Sequence, residues 1–183
     1  MSGSLTIEVH PLVVMNIADH MTRSKYRTKG VPRVIGAILG KQEGRVLEIC
    51  NTVETKYVGK QTLQGMSDEI TIDEDFMQTR ITAYKTMFPD LDCLGWYSVD
   101  GKSGKDEKCD QPSKNDVEIL QNVVSKFAEN PLMLIMNENS QSAKDKKKIP
   151  FFLYELAVKT ADGKAPASPF VQLDYTLASE DSE

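Results

Sequence analysis

The run Val34-Ile35-Gly36-Ala37-Ile38-Leu39-Gly40 constrains this chain more than any other feature. A strand with one wet face alternates apolar and polar residues. A run that stays apolar at both parities belongs to a strand buried on both faces. Such a strand needs cover on each side of its sheet, which calls for packed layers above and below it. The 183 residues suffice for that within one domain, without disulfides or a structural metal. Gly36 and Ala37 predict a close approach by a neighbouring group.

The segments around this strand read as interleaved strands and helices. Ser4–Val9 alternates and is a half-buried strand. Pro11 stands where a helix starts, and an apolar stripe through Leu12, Met15 and Ile17 to Met21 carries the helix to about Arg23. Residues 24–32 read as a loop. Lys41–Arg45, with Gly44, reads as a hairpin turn into a second strand over Val46–Thr55. Lys56–Ser67 is polar with two glycines and reads as a mobile loop, followed by a short strand at Ile70 and Ile72. Asp73 is placed to cap a helix that runs to about Phe88 and stops at Pro89. Its apolar residues form two stripes, which predicts burial on more than one side. Strands follow at Leu91–Tyr97 and Leu132–Met136, separated by a charged loop over Gly101–Pro112 and a helix opened by Ser113 with Val117, Leu120, Val124 and Phe127 in register. Gln141–Lys148 reads as a basic hairpin loop, and Phe151–Lys159 and Phe170–Leu177 as final strands. The fold class is α/β, a mixed central sheet flanked by helices. One domain is expected over 1–178. The acidic residues 179–183 read as a tail.

Composition narrows the partners. With 40% apolar and 27% charged residues the chain is neither disordered nor fibrous. A net charge of −5 argues against nucleic acid as a partner. No apolar run approaches the ~20 residues of a membrane span, and MSGSLTIEVH does not read as a signal peptide. Cys50, Cys93 and Cys109 are odd in number and widely spaced, which fits a reducing compartment, cytoplasm and nucleus.

Few residues carry recognisable chemistry. No phosphate-binding glycine loop or nucleophile elbow is present. His10 and His20 are ten residues apart in or beside the first helix, too far to share a metal, and read as cap or surface residues. Cys109 lies near Lys105 and Lys108, which favours a thiolate, yet no histidine is nearby in sequence. Lys146-Lys147-Lys148 reads as a solvated loop. Ser113-x-x-Asp116 before an apolar helix reads as a capping box.

One constellation says more. Leu94-Gly95-Trp96-Tyr97 ends in Ser98-Val99-Asp100, and Ser113-Lys114-Asn115-Asp116 opens the next helix. Together with the opening His10-Pro11-Leu12 and the Val34–Gly40 strand, this pattern resembles the MPN domain, the fold of the JAMM metalloproteases, over nearly the whole chain. In catalytic members the Gly-Trp-Tyr strand runs into His-x-His, then Ser-x-x-Asp. A glutamate beside the earlier apolar strand completes the site. Two histidines and the aspartate hold zinc, and the glutamate orients the attacking water. Carried over by position, the glutamate is Arg33 here, the histidines are Ser98 and Asp100, and only Ser113 and Asp116 persist. The family's seven-residue gap before that serine is twelve residues here, Gly101–Pro112. Catalytic zinc takes about three protein ligands and an open position. Serine is a poor neutral ligand, and a guanidinium stays protonated and cannot serve as a base. The resemblance therefore implies a pseudo-enzyme with no catalytic residue, no metal and no cofactor. Arg33 is expected to pair with Asp100 or Asp116.

The stretches Gly40-Lys41-Gln42-Glu43-Gly44-Arg45 and Tyr175-Thr176-Leu177-Ala178 resemble most the non-catalytic MPN branch found in the COP9 signalosome. That resemblance implies a scaffold that pairs with the catalytic MPN subunit in the assembly that removes Nedd8 from cullins, together with other signalosome subunits. The proteasome lid and translation initiation factor 3 contain related non-catalytic MPN subunits and remain an alternative. An active metal-dependent isopeptidase, or a hydrolase using Cys109, is the third reading. The wide apolar faces suggest Leu12, Met15, Met21, Met77, Ile81 and Tyr84 as a partner surface.

Overall fold

The computed structural model describes residues 5–28, 33–63, 65–99, 111–137, 150–157, 163 and 168–179. The apolar run becomes β2 (Val34–Glu43), the strand from which the sheet is built. It turns at Gly44, whose φ of +63° suits glycine, into β3 (Val46–Glu54), its antiparallel neighbour. On its other side lies β6 (Asp92–Val99), also antiparallel. Outward from β6 come β7 (Leu132–Met136), parallel, then β8 (Phe151–Leu156) and β9 (Phe170–Leu173), both antiparallel. Outward from β3 come β1 (Thr6–Val9) and β10 (Thr176–Leu177), both in parallel pairings. The order is β10-β1-β3-β2-β6-β7-β8-β9.

The residues from 34 to 40 are all buried, as the unbroken apolar run requires. On one face α1 (Pro11–Arg27) sets Val13, Ile17 and Met21 against Ile38, Ile49, Tyr97 and Leu134. On the other face, Ile35, Ala37, Leu39 and Trp96 pack with Met77 of α2 (Glu74–Met87), with Ile119 and Leu120 of α3 (Lys114–Asn122), and with Val124 of a 3-10 turn over Val124–Lys126. The close approach expected at Gly36 is the Tyr97 ring and the Val53 carbonyl. A Cβ built on Gly36 would lie 2.3 Å from Tyr97 Cε1 and 2.4 Å from Val53 O.

Strands β9 and β10 occupy opposite edges of the sheet, yet only Asp174 and Tyr175 separate them. Three Cα steps span at most ~11 Å, whereas eight flat strands would be about 34 Å across. The sheet must therefore curl until its edges approach. The Tyr175 hydroxyl closes the gap by donating to the Phe151 carbonyl at 3.1 Å.

Several sequence expectations are corrected here. Lys56–Ser67 is not a loop: β4 (Tyr57–Thr62) and β5 (Gly65–Ile72) form an antiparallel hairpin outside the main sheet. The stretch from Lys56 to Ser67 is mostly polar, so no apolar alternation marks its strands in the sequence. Helix α1 runs on to Arg27. The final strand splits in two because each half serves a different sheet edge. The apolar stripes of α2 are not buried on two sides: Met77 is its one buried residue, while Met87 and Phe88 are exposed. The expected charged loop over Gly101–Pro112 lies outside the described residues as far as Asp110, and so do the expected hairpin loop over Gln141–Lys148, the acidic residues 180–183, Cys109 and Lys146–Lys148.

Candidate functional site

The termini of three elements meet where the resemblance places its metal site. Arg33 immediately precedes β2, and Ser98 lies near the end of β6, paired with Ile35. Asp116 stands in the first turn of α3. Side-chain parity on β2 and β6 sends Arg33 and Ser98 to the face that α3 covers. The Arg33 Nε–H donates to Ser98 Oγ at 3.0 Å, and Nη2–H donates to Asp116 Oδ1 at 2.6 Å. This ion pair is largely withdrawn from solvent, with side-chain exposures of 15% and 7%. The guanidinium carbon lies 6.0 Å from the Trp96 ring centroid, at the outer range of a cation–π contact.

Asp116 is held from both sides. Its Oδ2 accepts from the Ser113 amide at 2.7 Å, and its own amide donates to Ser113 Oγ at 3.2 Å, the reciprocal bonds of a capping box. The carboxylate sits at the positive end of the helix dipole. The β4–β5 hairpin supports the same region. The Tyr57 hydroxyl donates to the Arg33 carbonyl at 2.7 Å, and Asn115 exchanges hydrogen bonds with the backbone of Ile70 at 3.0 and 3.4 Å. Arg33, Ser98, Ser113 and Asp116 are thus brought together, with Arg33 on one of the two carboxylates expected for it. Asp100 lies outside the described residues. As a chemical unit the group is a charge-assisted tie between two strands and a helix. An arginine bound in this way neither accepts a proton nor offers a lone pair.

The two histidines are more involved than the sequence suggested. His20 is not a surface residue. Its side chain is 12% exposed, Nδ1 is hydrogen-bonded to the buried Tyr97 hydroxyl at 2.8 Å, and Nε2 lies 3.6 Å from Glu54. Burial holds its pKa below the ordinary 6.5, although Glu54 pulls the other way. Arg23 bridges Glu54 and Asp19. His10 occupies the N-cap position of α1, but its side chain caps nothing. Its Nε2 instead meets Glu48 Oε2 at 3.2 Å. With Cys50 these side chains form a cluster whose donor atoms lie within 4.8 Å of one another. Sequence reasoning missed it because 38 residues separate His10 from Glu48. The available signal was Glu48-x-Cys50, which period-2 geometry places on one strand face.

The expected partner surface divides. Met21 and Met77 are 2% and 1% exposed in the two cores and cannot be presented to a partner. Both fall on the inward stripe of their helices, and that stripe is all that the sheet covers. Leu12 and Met15 are exposed on α1 at 48% and 65%. Ile81 and Tyr84 are half-buried against the core on the α2 face.

Residues 2–130 match the family described as JAB1/Mov34/MPN/PAD-1 ubiquitin protease. The whole chain aligns with proteins named COP9 signalosome complex subunit 6. Identity is 39% with that of Drosophila melanogaster and 33% with that of Dictyostelium discoideum, covering 48% and 52% of those proteins. Subunit 6b of Arabidopsis thaliana is 30% identical, with 57% of its length covered. The chain spans about half the length of these curated relatives.

Proposed function

The chain belongs to the JAB1/Mov34/MPN/PAD-1 family, and from that premise we propose that it is a non-catalytic MPN domain of a COP9 signalosome subunit 6. The Arg33–Asp116 ion pair carries the non-catalytic half of this reading. At the positions where the resemblance puts a general base and a zinc ligand, a permanent cation neutralises the one carboxylate that persists. The likeness to proteins named subunit 6, along the full chain, supports the assembly.

In this reading the domain is a scaffold. It pairs with the catalytic MPN subunit and contacts other signalosome subunits, in the cytoplasm and nucleus, within the assembly that removes Nedd8 from cullins. The exposed Leu12 and Met15 on α1, with Ile81 and Tyr84 on α2, are its candidate contacts. A contiguous exposed apolar patch on a folded domain marks a protein–protein interaction site.

Two measurements test the reading. The chain should co-purify with a catalytic MPN subunit, and recovery of proteasome-lid or initiation-factor subunits instead would overturn the assembly assigned to it. Alone, it should not cleave a Nedd8–cullin or ubiquitin isopeptide bond. Isopeptidase activity abolished by Asp116→Ala would overturn the non-catalytic assignment.

A further inference from the structure

We propose that His10, Glu48 and Cys50 form a binding site for a thiophilic divalent cation of the zinc class, clamping the start of α1 to β3. The backbone holds these three residues in place. The parallel pairing of β1 with β3 sets Val9 against Ile49. Both of these side chains point into the core, at 1% and 0% exposure. Period-2 geometry therefore sends His10, Glu48 and Cys50 together to the opposite side. The His10 amide donates to the Ile49 carbonyl at 2.9 Å, which holds the imidazole beside the strand.

The donor set is one imidazole nitrogen, one carboxylate oxygen and one sulfur. Oxygen-seeking calcium and magnesium are poorly served by it, whereas zinc and its substitute cobalt accept all three donor types. In a tetrahedral site with metal–ligand bonds of about 2.0–2.3 Å, donors stand roughly 3.3–3.8 Å apart. The His10–Glu48 separation is 3.2 Å, and no pair of donors exceeds 4.8 Å, so the cluster closes on an ion with side-chain shifts of about 1 Å. Three protein ligands leave a fourth position for water. His10 and Glu48 are 37% and 23% exposed, open enough for an ion to enter. The Lys41 ammonium is the competitor, 3.9 Å from Glu48 Oε2. It also has Glu43 at 3.3 Å, to which it can retreat. The site shares no residue with the Arg33–Asp116 group and does not depend on the assembly to which the chain belongs.

Cobalt(II) alone, added to chelator-treated protein, tests this inference. A thiolate-to-cobalt charge-transfer band should grow to saturation at one equivalent. Cys50→Ser should abolish it. His10→Ala and Glu48→Ala should each weaken binding by about tenfold or more, since even the outer partners of a metal site carry that much. Cys109→Ser should leave it intact, and Lys41→Met should tighten it. Zinc(II) should raise the melting temperature of the unaltered chain and not that of Cys50→Ser. Absence of the band, its survival in Cys50→Ser, or its loss in Cys109→Ser would each overturn the site.

Discussion

Arg33 reaches across 83 residues of sequence to set its guanidinium 2.6 Å from the Asp116 carboxylate. The pair joins the entry to the central strand with the first turn of α3. It lies where the family resemblance places a base and a metal ligand. Two charges this shielded are costly to separate, because the partner left behind has lost its water without keeping its counter-charge.

Removing the guanidinium is therefore expected to destabilise the fold. Arg33→Ala should lower unfolding free energy by about 3 kcal/mol. In a double-mutant cycle, adding Asp116→Asn should recover part of that loss. Urea denaturation of the four proteins checks this, and additive losses would mean that the pair is not energetically coupled.

Gly36 has no room for a side chain. A Cβ there meets Tyr97 Cε1 and the Val53 carbonyl at 2.3 and 2.4 Å. The carbonyl belongs to the neighbouring strand and cannot rotate away. Gly36→Ala should cost about 3 kcal/mol or more, seen as a large fall in melting temperature. Gly44→Ala, in open space but at a φ of +63°, should cost only about 1 kcal/mol.

His20 should make stability depend on pH. Burial depresses its pKa from 6.5, so the unfolded chain takes up a proton near that pH while the folded chain resists. Stability from this group is complete above pH 6.5 and is lost as the pH falls below it. Glu54, Asp19, Arg23 and Arg27 act on the imidazole with opposing signs, and Tyr97 is its hydrogen-bond partner. Urea midpoints measured about one pH unit above and below that value should differ less in His20→Gln than in the unaltered chain.

The exposed and buried members of the apolar set should respond in opposite ways. Leu12→Asp and Met15→Asp should weaken binding to a catalytic MPN subunit and shift folding stability by no more than about 0.5 kcal/mol. Met77→Asp should unfold the domain, since it places a charge at a position 1% exposed. Binding by titration calorimetry and thermal melts separate the two effects.

Legibility followed the range of the interactions. The double-sided burial of Val34–Gly40, the caps at Asp73 and Ser113 and the turn at Gly44 depend on neighbours a few residues away, and each is present. The β4–β5 hairpin is illegible over Lys56–Ser67 because that stretch is mostly polar and shows no period-2 alternation. The part the sequence does show, Ile70 and Ile72, is the part buried in the core. His20 looks like a cap or surface residue in the sequence because nothing local announces that Tyr97, 77 residues on, needs a partner for its buried hydroxyl. The apolar stripes of α2 showed which residues have an affinity for cover, not how much cover the sheet provides.

The sequence by itself determined the strand and helix segments around β2, the two-sided core and the cap at Ser113, because residue type and local periodicity decide these. Only the tertiary structure decided that Arg33 meets Asp116, that β9 and β10 draw the opposite sheet edges together, and that His10 joins Glu48 and Cys50. Each depends on strand order and register, and those are settled by the packing of the whole sheet rather than by any local stretch of chain.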